Sequence, residues 1–360
     1  MRKFALTITT LFALIMIIDP TGAINSAKEC LVTCYRSVIP ALFPFFLCSN
    51  LYISLGLSEL LQKYLGRAMR VLFGVSGSGA GAVITGFISG YPVGAKTVSQ
   101  LVQNGQCSQS EGEKLLAFCN NSGPLFLLGT VGSVMLQNTF AGMVLYLSHM
   151  LGAITVGMLL RGVKSTPFPP STRTYNDPFG QMLSRAVSDS VSSILNVCGY
   201  VVIFGLLMSE LSRFDVIDLF TPMFGKFTTP ILYGLLEPVG GCFAACEQLG
   251  GNTLLLFLSA IVGFSGISVH LQVMGLVKEA SLSVRYYFIG KTLMTIFCPI
   301  YTFILIRIFN IAHPVFAPST AAVESSFTLI YMVIALQICL FALLTLTGWL
   351  MPRFYRNVKS

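Results

Sequence analysis

Stretches apolar enough to lie in lipid are interrupted in this chain by residues that helices reject, and the interruptions come as two matched pairs. Gly90-Tyr91-Pro92-Val93-Gly94-Ala95 and Cys119-Asn120-Asn121-Ser122-Gly123-Pro124 break the first half. About 145 residues on, Leu236-Glu237-Pro238-Val239-Gly240-Gly241 and Gly263-Phe264-Ser265-Gly266-Ile267-Ser268 break the second. Backbone that leaves the helix at membrane depth strands N–H and C=O groups, and only surrounding protein or a water-lined cavity can satisfy them. Matched Gly/Pro interruptions in corresponding positions of two halves point to the binding site of a secondary transporter.

The surrounding composition fits a bilayer. Charged residues make up 10% of the 360-residue chain and hydrophobic ones 54%, against the roughly 25% charged of a soluble domain. That excludes an ordinary water-soluble enzyme and gives a multi-pass helical membrane protein. The net charge of +8 is spread in small clusters between apolar segments, the pattern of cytoplasmic loops rather than of a nucleic-acid surface. Ten cysteines are scattered, with Cys30/Cys34 and Cys242/Cys246 at i,i+4 spacing. No ligand set accompanies them, so neither metal nor cofactor is expected.

Spans and charges together give one path. Residues 4–18 form a short first helix or a signal segment, with residue 24 outside. Residues 30–57 return to the cluster Lys63, Arg67, Arg70, and 71–103 form a hairpin that enters and leaves on one face. Residues 115–136 cross outward, broken at 120–123, and 140–160 return. The second half repeats the order: 186–211 outward, a hairpin over 219–250, a broken span over 254–277, and 287–307 outward. A last span, 327–350, returns to Arg353, Arg356 and Lys359. Fifteen of the 22 Lys/Arg then fall in cytoplasmic segments and four outside, which supports this orientation with a cytoplasmic C-terminus. Each half makes an odd number of crossings, so the halves form an inverted repeat. The domain boundaries are 1–24 for the N-terminal segment, 28–162 and 186–308 for the repeats, 163–185 for the Pro/Ser/Thr-rich linker around Thr166–Asp177, and 309–360 for the C-terminal span and basic tail.

The breaks predict helix ends aimed at the middle of the bilayer. Pro92, Pro124 and Pro238 suit the first position of a new helix, and Ser122 and Ser265 suit caps ahead of their second half-helices. Helix N-termini carry partial positive charge and free N–H donors. Lys96 adds a full charge about a turn past Pro92, and Arg36 and Lys291 are two further intramembrane cations. The cavity therefore favours an anion. Glu237 is a carboxylate at membrane depth, where ionisable groups are functional by default; it can carry a coupling proton, grip a substrate donor or hold backbone N–H groups. The expected binding residues are Tyr91, Lys96, Asn120, Asn121, Ser122, Glu237, Ser265, Ser268, His270 and Gln272, with His149 as a further polar group in a span. No nucleophile–base set appears in the loops, so an enzyme is not expected.

Ser89-Gly90-Tyr91-Pro92-Val93-Gly94-Ala95-Lys96 and Cys119-Asn120-Asn121-Ser122-Gly123-Pro124-Leu125-Phe126 resemble the nucleoside-recognition (Gate) family, and within it the sporulation integral membrane proteins of the YlbJ type. Phe264-Ser265-Gly266-Ile267-Ser268 is also similar to the broken helix of concentrative nucleoside transporters. The resemblance implies a two-hairpin, inverted-repeat fold. It also implies a role in spore formation, moving dipicolinate, a planar dianion, across the mother-cell-derived forespore membrane. Its expected partners are a small anionic substrate and the bilayer, with no nucleic acid; a homo-oligomer is left open. A nucleoside carrier and a non-transporting scaffold in spore assembly remain as alternatives.

Overall fold

The computed structural model describes residues 2–163 and 177–309. Most of the expected linker and the whole C-terminal span 327–350 with its basic tail lie outside them. Among the described residues every regular element is helical. In chain order, α1 (Arg2–Ile18) and α2 (Pro20–Thr33) run through a π-helical turn into α3 (Ile39–Ser54). Then follow α4 (Leu57–Ala68), α5 (Ala80–Ser89), α6 (Val93–Gln103), α7 (Gln109–Cys119), a π-helical run over Leu125–Met135, and α8 (Thr139–Leu159). The second half carries α9 (Phe179–Arg213), the one-turn α10 (Thr221–Phe224), α11 (Thr228–Leu236), α12 (Pro238–Gln248), α13 (Gly251–Phe264), α14 (Gly266–Lys278) and α15 (Arg285–Phe309).

Among the described residues, four helical stretches are long and apolar enough to cross a bilayer: Thr139–Gly162, Phe179–Arg213, Gly251–Lys278 and Arg285–Phe309. They coincide with the expected spans 140–160, 186–211, 254–277 and 287–307. The protein is an all-α, multi-pass membrane protein.

The chain divides into two compact units. The first comprises Met1–Gly56, Thr174–Gln248 and Ser265–Gln272. Here α9 packs along α2 and α3, with Asn50 Nδ2 donating to Ser190 Oγ at 2.9 Å and the Ser26 and Ser209 hydroxyls 2.7 Å apart. Asp19 ends α1 and caps α2, its carboxylate accepting from Gly22 N at 2.9 Å. It also pairs with Arg213 at the end of α9. The helical column of α2 and α3 therefore begins at Pro20 rather than at residue 30, because Pro20 is tolerated at a first turn and Asp19 supplies the cap.

The second unit comprises Leu57–Arg173, Leu249–Phe264 and Val273–Ser360. Its centre is α15, packed against α8, α13 and α7. The first hairpin differs from the expected 71–103. Helix continues from α4 through a π-helical turn, Met69–Phe73, and the chain then bends by 101° before the hairpin begins. Gly74, at φ +63°, ends the turn in the left-handed region where a Cβ is penalised. The hairpin limbs are α5 and α6, folded against each other and against α7.

Polar groups tie this unit at one end. Lys114 is fully buried, and its ammonium donates to the carbonyls of Gly74, Arg161 and Val163 at 3.3, 3.0 and 3.2 Å. One turn earlier, the buried Glu111 accepts from Ser76 N at 2.7 Å and closes a capping box with Ser108. Burial and the Glu111 charge push the Cys107 thiol, in the loop before α7, above its ordinary range.

Candidate functional site

In the second unit the tip of the α5–α6 hairpin meets the break in the α7 span. Three glycines permit the approach: a Cβ at Gly86 or Gly94 would collide with the Cys119 carbonyl, and one at Gly90 would lie 2.5 Å from Gly123 N. Tyr91 N then donates to Asn121 O at 2.5 Å, across a tip whose Tyr91–Pro92 peptide is cis. Asn121 Nδ2 turns back to Phe118 O at 2.7 Å, the carbonyl that the missing helical turn would have left open.

Two side chains from other helices complete the break. Lys291 of α15 donates to Asn120 O at 2.5 Å, and its Nζ lies 5.9 Å from the centre of the Tyr287 ring. His149 of α8 accepts from Ser122 N through Nε2 at 3.0 Å. A ring nitrogen that accepts carries no proton, so this imidazole is neutral, with its hydrogen on Nδ1. Nδ1 faces Cys298 Sγ at 3.8 Å. That pair is not a nucleophile and base, because the imidazole already holds the proton on the nitrogen facing sulfur.

The expected caps behave differently from the sequence reading. Ser122 uses its backbone N–H toward His149, while its hydroxyl and Asn121 Oδ1 are fully buried with no partner among the described residues. Each such group costs about 1–3 kcal/mol unless a polar ligand or water engages it. Pro92 and Pro124 stand at the cap position ahead of their helices rather than at the first helical residue. Lys96 lies half-buried in the first turn of α6.

The first unit holds the second tip and the residues after the second break. Pro238 opens α12, as the sequence suggested. Glu237 caps that helix with both oxygens, accepting from Val239 N at 3.0 Å and Gly240 N at 2.7 Å. Of the roles open to it, this geometry supplies the backbone-holding one. The break is narrower than 263–268: α13 ends at Phe264 and α14 starts at Gly266, with Ser265 at φ +76° and Gly266 at φ +74°. A Cβ on Gly266 would sit 2.9 Å from Pro238 Cδ and 3.2 Å from Glu237 Cα, so glycine lets the break seat on its hairpin tip. Ser265, Ser268, His270 and Gln272 are all buried in this unit.

Each unit therefore joins one hairpin tip to one break. Tyr91, Lys96, Asn120, Asn121 and Ser122 fall in one, and Glu237, Ser265, Ser268, His270 and Gln272 in the other. Sequence reasoning left Lys291 and His149 outside the binding set. Their signal was there, since an ionisable residue inside an apolar span marks function. Nothing in the sequence brought them to residue 120.

No family model matches the chain, and no solved structure does. One relative is the "Sporulation integral membrane protein YlbJ" of Bacillus subtilis (strain 168), 30% identical over 324 residues, covering 81% of this chain and 79% of the relative. Identity at that level across about four fifths of each chain makes this an integral membrane protein that belongs to the YlbJ family.

Proposed function

We propose that this protein is a secondary transporter of a small anionic metabolite during spore formation, and that the metabolite is dipicolinate. Spore formation rests on the relative's name, and dipicolinate on the resemblance of the hairpin and break motifs. The observation that carries the chemistry is the Lys291 ammonium, 1% exposed, held against Asn120 O at a break in the span. A charge in that position is stabilised when an anion pairs with it and both are hydrogen-bonded. The two carboxylates of dipicolinate would take the ammonium and the N–H end of the π-helical run. Its flat ring would stack on the buried ring of Tyr287, whose centre lies 5.9 Å from Lys291 Nζ. The reading makes the protein a carrier and not an enzyme.

Uptake into vesicles holding the purified full-length protein tests it. Dipicolinate should enter and be competed by other small aromatic dicarboxylates, and a nucleoside should not. Lys291→Met should lower dipicolinate uptake by on the order of tenfold or more, the worth of one charge-assisted hydrogen bond. Nucleoside uptake insensitive to Lys291 would replace the anion reading with a neutral-substrate one. Transport of neither would leave a scaffold.

A further inference from the structure

The geometry points to a docking strip for anionic lipid headgroups on α4 and the π-helical turn that follows it. This rests on the α5–α6 hairpin entering the bilayer, and not on the identity of any transported substrate. Helix from Leu60 to Phe73 meets the helix from Gly77 to Ser89 at 101°. Two helices at that angle cannot both run along the membrane normal. With the hairpin limb dipping into the bilayer, the preceding helix lies along its surface.

The residues divide that helix into three stripes. Gly66, Met69 and Phe73, at helical i, i+3, i+7 spacing, are buried, and a Cβ on Gly77 would lie 2.8 Å from the Gly66 backbone. Leu60, Tyr64, Leu65, Val71 and Leu72 are exposed, from 36% at Leu65 to 70% at Tyr64. Lys63, Arg67 and Arg70, at i, i+4, i+7, form an exposed basic flank between the other two. Glu59 is the sole acidic residue of Leu57–Phe73, so the stretch carries two net positive charges. A helix with one apolar exposed side and a basic flank fits the boundary between headgroups and acyl chains. The charge complement is the phosphate of an anionic lipid, with the exposed leucines, Tyr64 and Val71 beside the acyl chains.

Purified full-length protein in a neutral detergent, offered equal phosphatidylglycerol and phosphatidylcholine, should retain the anionic lipid preferentially, read as bound lipid by native mass spectrometry. Each basic residue near the surface contributes roughly fivefold in affinity, so Lys63→Gln/Arg67→Gln/Arg70→Gln should cut the preference by on the order of a hundredfold. The Arg67→Lys/Arg70→Lys variant should keep it. If the triple variant does not fold, Arg67→Gln alone should show the fivefold fall. An unchanged preference would overturn the proposal, as would displacement of the lipid by millimolar glycerol phosphate, which has the headgroup charge without acyl chains. Ser76→Cys and Gly105→Cys read the hairpin separately: labelling from opposite faces would remove the hairpin, whatever the lipid result.

Discussion

Single residues in this protein settle how a broken membrane helix is satisfied. The first break is closed by donors and acceptors from three other elements: Tyr91 N on Asn121 O, Lys291 on Asn120 O, and Ser122 N on His149. Glu237 shows how position fixes a carboxylate's job. Both of its oxygens are committed to N–H groups at the start of α12, where negative charge is favoured by the helix dipole. Glu237→Gln keeps one acceptor and sets an amide N–H against the second backbone donor. It should cost about 1 kcal/mol of stability, the usual worth of a cap, seen as a lower unfolding temperature in detergent. On the transporter proposal, uptake by Glu237→Gln should match that of the unaltered protein at each pH. Loss of dependence on a proton gradient, with binding kept, would instead make Glu237 the coupling group.

At the scale of elements, close approach of backbones decides which helices can meet. The α5–α6 hairpin seats on α7 because Gly86 and Gly94 face the Cys119 carbonyl with no side chain between. Small residues at such contacts are the usual device in membranes, where apolar burial alone does not draw helices together. Gly94→Val would force the hairpin tip off the break and separate Tyr91 N from Asn121 O. The expected result is a folded, inserted protein with transport reduced by at least tenfold, or one that fails to accumulate; overpacking of this kind costs about 1–3 kcal/mol. Near-normal transport by Gly94→Val would mean that the hairpin tip and the break are not one site. The hairpins themselves were legible from Tyr91-Pro92 and Glu237-Pro238, since proline after a turn residue both stops one helix and starts another. The start of the first was not. The π-helical turn after α4 and the bend at Gly74 depend on α4 packing over Gly77, a contact that local spacing does not encode.

For the whole molecule, the matched breaks lead us to propose an inverted repeat, and that ordering is testable without a substrate. Cysteines at Gly105 and Asn252, in a background cleared of reactive thiols, should label from opposite faces of the membrane, with Gly105→Cys reached from the cytoplasm. Labelling of both from one face would end the inverted repeat. The sequence alone determined that the chain is a helical membrane protein with paired interruptions, because a bilayer leaves only helices available to such apolar stretches and glycine and proline mark where they stop. Four of the spans follow from hydrophobic length alone. Tertiary structure alone decided which groups meet those interruptions. Lys291 lies 171 residues from Asn120 and His149 lies 27 from Ser122. The need for a partner is local, set by each stranded N–H and C=O, whereas its supply comes from whichever helix packs alongside.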